Sequence, residues 1–246
     1  MKNITETYQL WKAGQTDLDA IKRVAVSLLY EDVIVNERLP FAVYHPFFES
    51  MYLPYENRMV NILENKKALM EIRKKREEQI WKTNDVELFF CLLTKPFRLL
   101  FLKETKEFMS KRDFSVSLKT AWTLCEDPNQ DFYVDVDTVI SWFYEAEQKY
   151  LMSEEEFVVF QNLPEKIRVY RGVAVHRNPD GISWTQDLKM AQWFAQRFDS
   201  YDQKGYVRTG MIDKKHILAY FDDREEKEIV VDREYLTISD ELGASV

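Results

Sequence analysis

The chain has 246 residues, of which 46% are hydrophobic and 31% charged, and its formal net charge is −8. This composition is typical of one or two globular domains, and an aromatic content of 14% is enough for a sizeable core. The acidity argues against a nucleic-acid surface, which needs clustered lysine and arginine, and no stretch approaches the roughly 20 apolar residues of a membrane-spanning helix.

The part of the chain up to residue 163 is predicted to be mostly helical. The first residues lack the apolar region of a secretory signal. Apolar spacing predicts helices over 17–30, 59–81, 85–109, 115–124 and 135–160. Pro96 should kink or break the third of these, and Ser153 is expected to start a new helix within the last. The aromatic, proline-marked segment 39–55 favours an ordered loop or short strands.

The hydrophobic period changes to two after Pro164. Strands are predicted over 167–173, 205–212, 216–221, 228–232 and 235–238, with one helix over 187–198. A mostly helical N-terminal part followed by a C-terminal part rich in strands predicts an α+β protein whose small sheet is mixed or antiparallel. We expect a helical region over 1–163 and a β-rich region over 164–246.

Arg171 is the first candidate site residue. Strand alternation puts it on the same side as Ile167, Val169 and Val173, the side expected to face inward. A guanidinium among buried aliphatic side chains needs an anion, which is either a carboxylate of the protein or a phosphate that fits its planar fork. Gly172 would allow a ligand to approach the backbone closely.

Two hydroxyl residues, Ser183 and Thr185, precede the predicted helix over 187–198. One interpretation is helix capping, in which Thr185 or Asp187 accepts hydrogen bonds from the first turn. The other is that both hydroxyls serve a pocket, since in an extended segment they face one side and Trp184 the other.

Glu226 and Glu228 form the third candidate feature. In an extended segment, residues two apart point the same way, so both carboxylates should face one spot. Such a pair is costly unless a cation or a cationic transition state lies between them. The alternative is an acidic surface turn, which Glu225 and Lys227 would fit.

Metal chemistry is not expected. His45, His176 and His216 do not cluster with cysteine or aspartate at the spacing of metal ligands, and Cys91 and Cys125 lie far apart in the sequence. Two reduced thiols are typical of a cytoplasmic protein, which is the location we expect.

The three features occur in the order of a known signature. Tyr170-Arg171-Gly172, then Ser183-x-Thr185 ahead of an Ala-Gln-Trp-Phe-Ala helix, then Glu226-x-Glu228 before aliphatic residues, resemble the Arg–Ser–Glu signature of the ADP-ribosyltransferases. The resemblance covers about residues 165–240. The chain is also similar to phage and prophage proteins of this type.

The resemblance implies an ADP-ribosyltransferase-like core that uses NAD as co-substrate, without a metal. It implies that Arg171 contacts the phosphates and ribose of NAD, that Ser183 stabilises the pocket, and that Tyr170, Gly172 and Thr185 contribute to binding. Glu228 would be catalytic, and Glu226 would orient an arginine acceptor. The helical region would complete the NAD pocket or bind the protein target, whose identity stays open.

Three functions follow from this resemblance. The first is mono-ADP-ribosylation of a protein side chain, with arginine as the expected acceptor and nicotinamide as the leaving group. The second is NAD hydrolysis at the same site. The third is a catalytically inactive binding protein of the same fold, against which the repelling pair Glu226 and Glu228 argues. The acidic charge makes nucleic acid the less favoured target.

Overall fold

The structure, a computed structural model, describes the backbone of residues 14–243 and the side chains of residues 14–239. Its contacts divide the chain into two compact units, one ending at Glu126 and one beginning at Asp127. The change from helices to strands that suggested a boundary at residues 163 and 164 lies inside the second unit. In the described part of the chain, no helix is both long and apolar enough to cross a membrane.

The first unit combines helices with two small hairpins. Its elements are α1 (Leu18–Leu29), β1 (Ile34–Val35), β2 (Val43–Tyr44), β3 (Tyr52–Tyr55), β4 (Arg58–Asn61), α2 (Lys66–Lys82), α3 (Val86–Leu92), α4 (Arg98–Thr105) and α5 (Lys111–Leu124). The expected break at Pro96 is confirmed, since a short 3-10 turn over Lys95–Phe97 separates α3 from α4. Short strands within segment 39–55 are confirmed as well.

The predicted start of the long charged helix at residue 59 is wrong. Residues 58–61 form β4, which pairs with β3 around a tight turn in which Glu56 and Asn57 adopt φ values of 48° and 61°. Two consecutive left-handed residues are the signature of a hairpin turn, and they end any helical pattern. The helix begins only after Asn65, whose side chain accepts a hydrogen bond from the Ala68 amide at 3.0 Å.

His45 is buried in the first unit, with 1% of its surface exposed. Its ring stacks on Phe48 at 4.4 Å, and Nδ1 accepts a hydrogen bond from the Phe47 amide at 3.0 Å. Burial, together with the nearby charge of Arg73, lowers the pKa of His45 to about 4. The imidazole is therefore neutral in the folded protein at pH 7.

This burial predicts a loss of stability in mild acid. The unfolded imidazole, with a pKa near 6.5, binds a proton before the folded one does, so stability from His45 is present above pH 6.5 and is lost as the pH falls towards 4. Between pH 7 and pH 5 the loss should be about 2 kcal/mol. Urea denaturation of the protein and of His45→Asn, whose side-chain oxygen can accept the same bond, measures it. An equal pH dependence in both proteins would contradict the assignment.

The second unit contains three helices before a six-stranded sheet. Its elements are α6 (Val136–Glu145), α7 (Gln148–Leu151), α8 (Glu154–Gln161), β5 (Lys166–Val173), β6 (Ser183–Thr185), α9 (Leu188–Gln196), β7 (Tyr206–Asp213), β8 (Ile217–Phe221), β9 (Glu228–Val231) and β10 (Thr237–Gly243). Neighbouring strands are antiparallel in the order β10-β7-β5-β6-β9-β8. The α+β prediction is confirmed, as is the new helix at Ser153, which forms a capping box with Glu156.

The sheet narrows between β5 and β6. β5 pairs with β7 along its whole length, but it meets β6 only where Tyr170 lies opposite Thr185. β6 in turn pairs with β9 along its whole length. The sheet therefore consists of two three-stranded halves that are joined in the middle by one pair of residues.

Gly172 serves the packing of α9 on β5. A side chain at this position would place a Cβ atom 2.1 Å from the Ala191 carbonyl oxygen and 2.6 Å from the Ala195 amide nitrogen. The close approach that we expected a ligand to make is therefore made by a helix. Ala191 and Ala195, both fully buried, complete the contact with Val207 on β7.

Gly172→Ala should lower the free energy of unfolding by about 1–3 kcal/mol, because backbone atoms of α9 would have to move away from the sheet. Gly210→Ala is the control, since the tightest contact of its Cβ atom would be with the flexible side chain of Leu236, at 3.0 Å, and the nearest main-chain atom, the Thr237 carbonyl oxygen, would lie at an ordinary 3.4 Å. Urea denaturation of both variants compares the two costs. Equal costs would mean that the fit of α9 against Gly172 is not tight.

Candidate functional site

The three sequence motifs meet where the sheet narrows. Thr185 lies opposite Tyr170 on β5 and opposite Glu228 on β9. Residues directly opposite each other in an antiparallel sheet point to the same face, so these three side chains share one face. Ser183, two residues before Thr185, belongs to the same face and lies opposite Val230.

Arg171 points to the other face and is buried, as predicted, with 8% of its surface exposed. Its partners are not those expected. Nη1 donates to the Ser183 carbonyl oxygen at 2.6 Å and Nη2 to the Asn178 carbonyl oxygen at 2.8 Å. The side chain thus provides hydrogen bonds at the point where the backbone ladder between β5 and β6 ends, and the contact to Ser183 involves its main chain.

Two residues that the sequence did not single out, Gly181 and Asn129, make room for this arginine. A Cβ atom on Gly181 would lie 2.3 Å from Arg171 Nη2, so only glycine allows the guanidinium to occupy its position. Asn129 fastens the loop, since its Oδ1 accepts a hydrogen bond from the Ile182 amide at 2.7 Å and its carbonyl accepts one from Asn178 at 3.0 Å. The sequence signal for this loop was the turn-forming run Asn178-Pro-Asp-Gly181.

Arg171 keeps its positive charge despite its burial. The pKa of Arg171 is lowered to about 10, chiefly by burial; the negative charges of Asp127 and Glu228 oppose this effect, and the neighbouring Arg208 adds to it. A guanidinium with this pKa stays charged at pH 7. Its Nε is buried and has no hydrogen-bond partner among the described residues. A fixed positive charge therefore lies near Glu228.

Glu228 is a buried carboxylate with 6% of its surface exposed. It is the first residue of β9, between Thr185 on β6 and Phe221 on β8, and every residue of β9 is buried. Charge interactions are stronger in such surroundings than in water, because the local dielectric constant is lower.

Glu226 lies in the turn that connects β8 to β9. The premise that residues 226–228 are extended is wrong, because Lys227 adopts a φ of 48°. The two carboxylates nevertheless affect each other. Burial raises the pKa of Glu226, Arg224 opposes this effect, and the charge of Glu228 adds to it. Glu226 Oε2 lies 2.8 Å from Arg224 Nη2.

The turn is fastened at both of its ends. Asp222 accepts hydrogen bonds from the Glu225 amide at 2.9 Å and the Lys227 amide at 3.0 Å. The Asp222 amide donates to Glu156 Oε1 at 2.8 Å, so the carboxylate of the capping box of α8 also holds the end of β8. Glu226, with its partner Arg224, is thereby held in a fixed turn within range of the charge of Glu228.

Thr185 links this turn to the start of α9. Its hydroxyl donates to the Glu226 carbonyl oxygen at 2.9 Å and accepts from the Asp187 amide at 3.1 Å. Asp187 is the residue that caps α9, accepting from the Lys189 amide at 2.9 Å. The capping interpretation is therefore confirmed for Asp187, while Thr185 connects three elements around Glu228.

Comparison of the chain with models of protein families, with curated proteins and with solved structures found no match. Among the described residues, no group of three or more histidine, cysteine, aspartate or glutamate side chains could hold a metal ion. The structure puts four of the seven predicted site residues, Tyr170, Ser183, Thr185 and Glu228, on one face of the sheet, next to the turn that carries Glu226. Arg171 lies on the opposite face and bonds to the main chain of Ser183, and Gly172, like Tyr170, packs against α9. The structure adds Gly181 and Asn129 around Arg171, and Arg224 beside Glu226.

Thr185→Val should lower the free energy of unfolding by about 1–3 kcal/mol, because the Glu226 carbonyl and the Asp187 amide would lose their partner while the shape is kept. Thr185→Ser keeps the hydroxyl and should cost clearly less. Urea denaturation of the two variants measures the difference. Equal destabilisation would show that the hydroxyl does not fasten the turn.

Proposed function

We propose that the unit beginning at Asp127 is an NAD-dependent mono-ADP-ribosyltransferase that modifies an arginine side chain of a protein and releases nicotinamide. The observation that carries the proposal is the convergence of three distant motifs at one break in the sheet. Arg171 bonds to the main chain of Ser183, Thr185 lies opposite Glu228 and bonds to Glu226, and the charges of Arg171 and Glu228 interact.

The reaction needs a carboxylate at the nicotinamide ribose. Loss of nicotinamide leaves positive charge on the anomeric carbon, and a fixed carboxylate stabilises that charge as in glycoside hydrolysis. Glu228 is suited to this role because it is buried and anchored on a strand rather than on a loop. Glu226, in the turn, is suited to orienting the acceptor.

The geometry suggests a more specific role for Arg171. Nη1 and Nη2 each donate to one backbone carbonyl, and Nε is buried, so the contribution to ligand binding that we propose for Arg171 is its charge. We therefore assign Arg171 mainly to linking β5 to residues 178–183 and to making the local potential favourable for the pyrophosphate of NAD.

NAD hydrolysis is the second candidate, and the ion pair between Arg224 and Glu226 favours it. An arginine acceptor would have to displace Arg224 from the carboxylate, whereas a water molecule would not. Transfer and hydrolysis share Glu228, so the two functions differ only in the acceptor.

Glu228→Gln should fold and bind NAD but release nicotinamide roughly 10²–10³ times more slowly, because the amide keeps the shape without the charge. Nicotinamide release is measured on purified protein with labelled NAD, and binding is measured as the rise of melting temperature with NAD. Glu225→Gln, an exposed carboxylate of the same turn, is the matched control and should retain the rate. Release near the wild-type rate in Glu228→Gln would move catalysis to another residue.

Glu226→Gln should abolish labelling of lysate proteins while leaving much of the slow NAD hydrolysis, because water needs less positioning than a guanidinium. The two carboxylates differ in exposure, since Glu228 is buried whereas the side chain of Glu226 is 21% exposed. Both activities are measured on one preparation. Equal losses would mean that Glu226 supports NAD itself, and the arginine-acceptor assignment would fall.

A further inference from the structure

Arg224 occupies the position that the proposed function gives to the acceptor. Its Nη2 lies 2.8 Å from Glu226 Oε2, and its side chain is 51% exposed. Arg224 is separated from Glu226 by one residue, Glu225, whose φ is 59°. A guanidinium of the protein's own chain is thus bound to the carboxylate that would orient an arginine acceptor.

The turn fixes Glu226, the partner of this guanidinium, within range of the charge of Glu228, the carboxylate that would carry the chemistry. Hydrogen bonds from the amides of Glu225 and Lys227 to Asp222 fasten it at one end. The bond from Thr185 Oγ1 to the Glu226 carbonyl fastens it at the other end, on the strand that pairs with Glu228. An acceptor held in this way loses little entropy on reaction, which is the main advantage of intramolecular transfer.

We propose that Arg224 is a self-modification site, an intramolecular acceptor of ADP-ribose. This inference rests on the proposed function. A terminal nitrogen of Arg224 forms a bond to the anomeric carbon of the nicotinamide ribose. The bond from that carbon to the nicotinamide nitrogen breaks, and nicotinamide leaves as a neutral molecule with the electron pair. The proton lost by the guanidinium passes to Glu226 and then to water.

Modification of Arg224 changes the site itself. The modified arginine carries two additional phosphates, and it leaves the Glu226 carboxylate accessible to a different acceptor only if the attached group moves away from the turn. Transfer to external arginine should therefore change as self-modification proceeds. The rate of NAD hydrolysis should be affected less, because an attacking water molecule does not need the Glu226 carboxylate, which Arg224 occupies.

The test is to incubate the purified full chain alone with NAD, to map modified peptides by mass spectrometry, and to measure nicotinamide in the same sample. ADP-ribose is expected on Arg224, and the modified fraction at a given time should not change on about tenfold dilution, because the reaction is intramolecular. Arg224→Lys should lose nearly all self-labelling. Arg233→Lys is the matched control, since Arg233 is also ion-paired, with Asp137 at 2.6 Å, at the far end of β9, and it should label normally.

The outcomes separate this inference from the proposed function. Nicotinamide release without modification of Arg224 overturns the inference and leaves the function standing as hydrolysis or as transfer to other proteins. Modification that falls on dilution overturns the intramolecular step. Absence of both nicotinamide release and label overturns the function and the inference together. Peptide mapping of the unaltered protein decides the site even if Arg224→Lys does not fold.

Discussion

Where β5 and β6 stop pairing, the guanidinium of Arg171 continues the connection by donating to the carbonyls of Ser183 and Asn178. Hydrogen bonds from a charged donor contribute roughly 1.5–3 kcal/mol each, which offsets the cost of removing the charge from water. The arrangement depends on Gly181, because any larger residue would overlap the guanidinium. Arg171 therefore links β5 to the segment that leads into β6 and places a permanent positive charge beside the break.

The other parts of the site depend on this break. Because β6 leaves β5 after a single pair, its Thr185 lies between Tyr170 on one half of the sheet and Glu228 on the other. The hydroxyl of Thr185 then reaches the turn that carries Glu226. A buried carboxylate, a partly exposed carboxylate and a buried cation are thereby held within range of one another's charge.

Local sequence signals predicted many of the helices and strands, but they predicted the tertiary contacts of individual residues less well. Ser153 with Glu156 predicted a helix start, Pro96 predicted a break, and alternation put Arg171 on a buried face, since each signal acts within a few residues. Gly172 was expected beside a ligand and lies against α9, because the packing partner of a glycine is chosen by the fold. The spacing of Glu226 and Glu228 suggested an extended segment. Lys227 instead adopts a left-handed conformation, in a turn that its amide stabilises by a hydrogen bond to Asp222.

The sequence by itself determined the α+β class, the period of each strand, the helix caps and the presence of three chemically suitable motifs in one order, because propensity, capping and alternation depend on neighbours along the chain. Only the tertiary structure decided that Arg171 bonds to carbonyls rather than to a carboxylate, that Thr185 lies opposite Glu228, and that Arg224 is paired with Glu226. The first two depend on the register of distant strands, and the third on the path of a turn. Shifting that register by one residue would turn every side chain of a strand to the opposite face, and only the burial of the whole sheet selects the register that assembles the site.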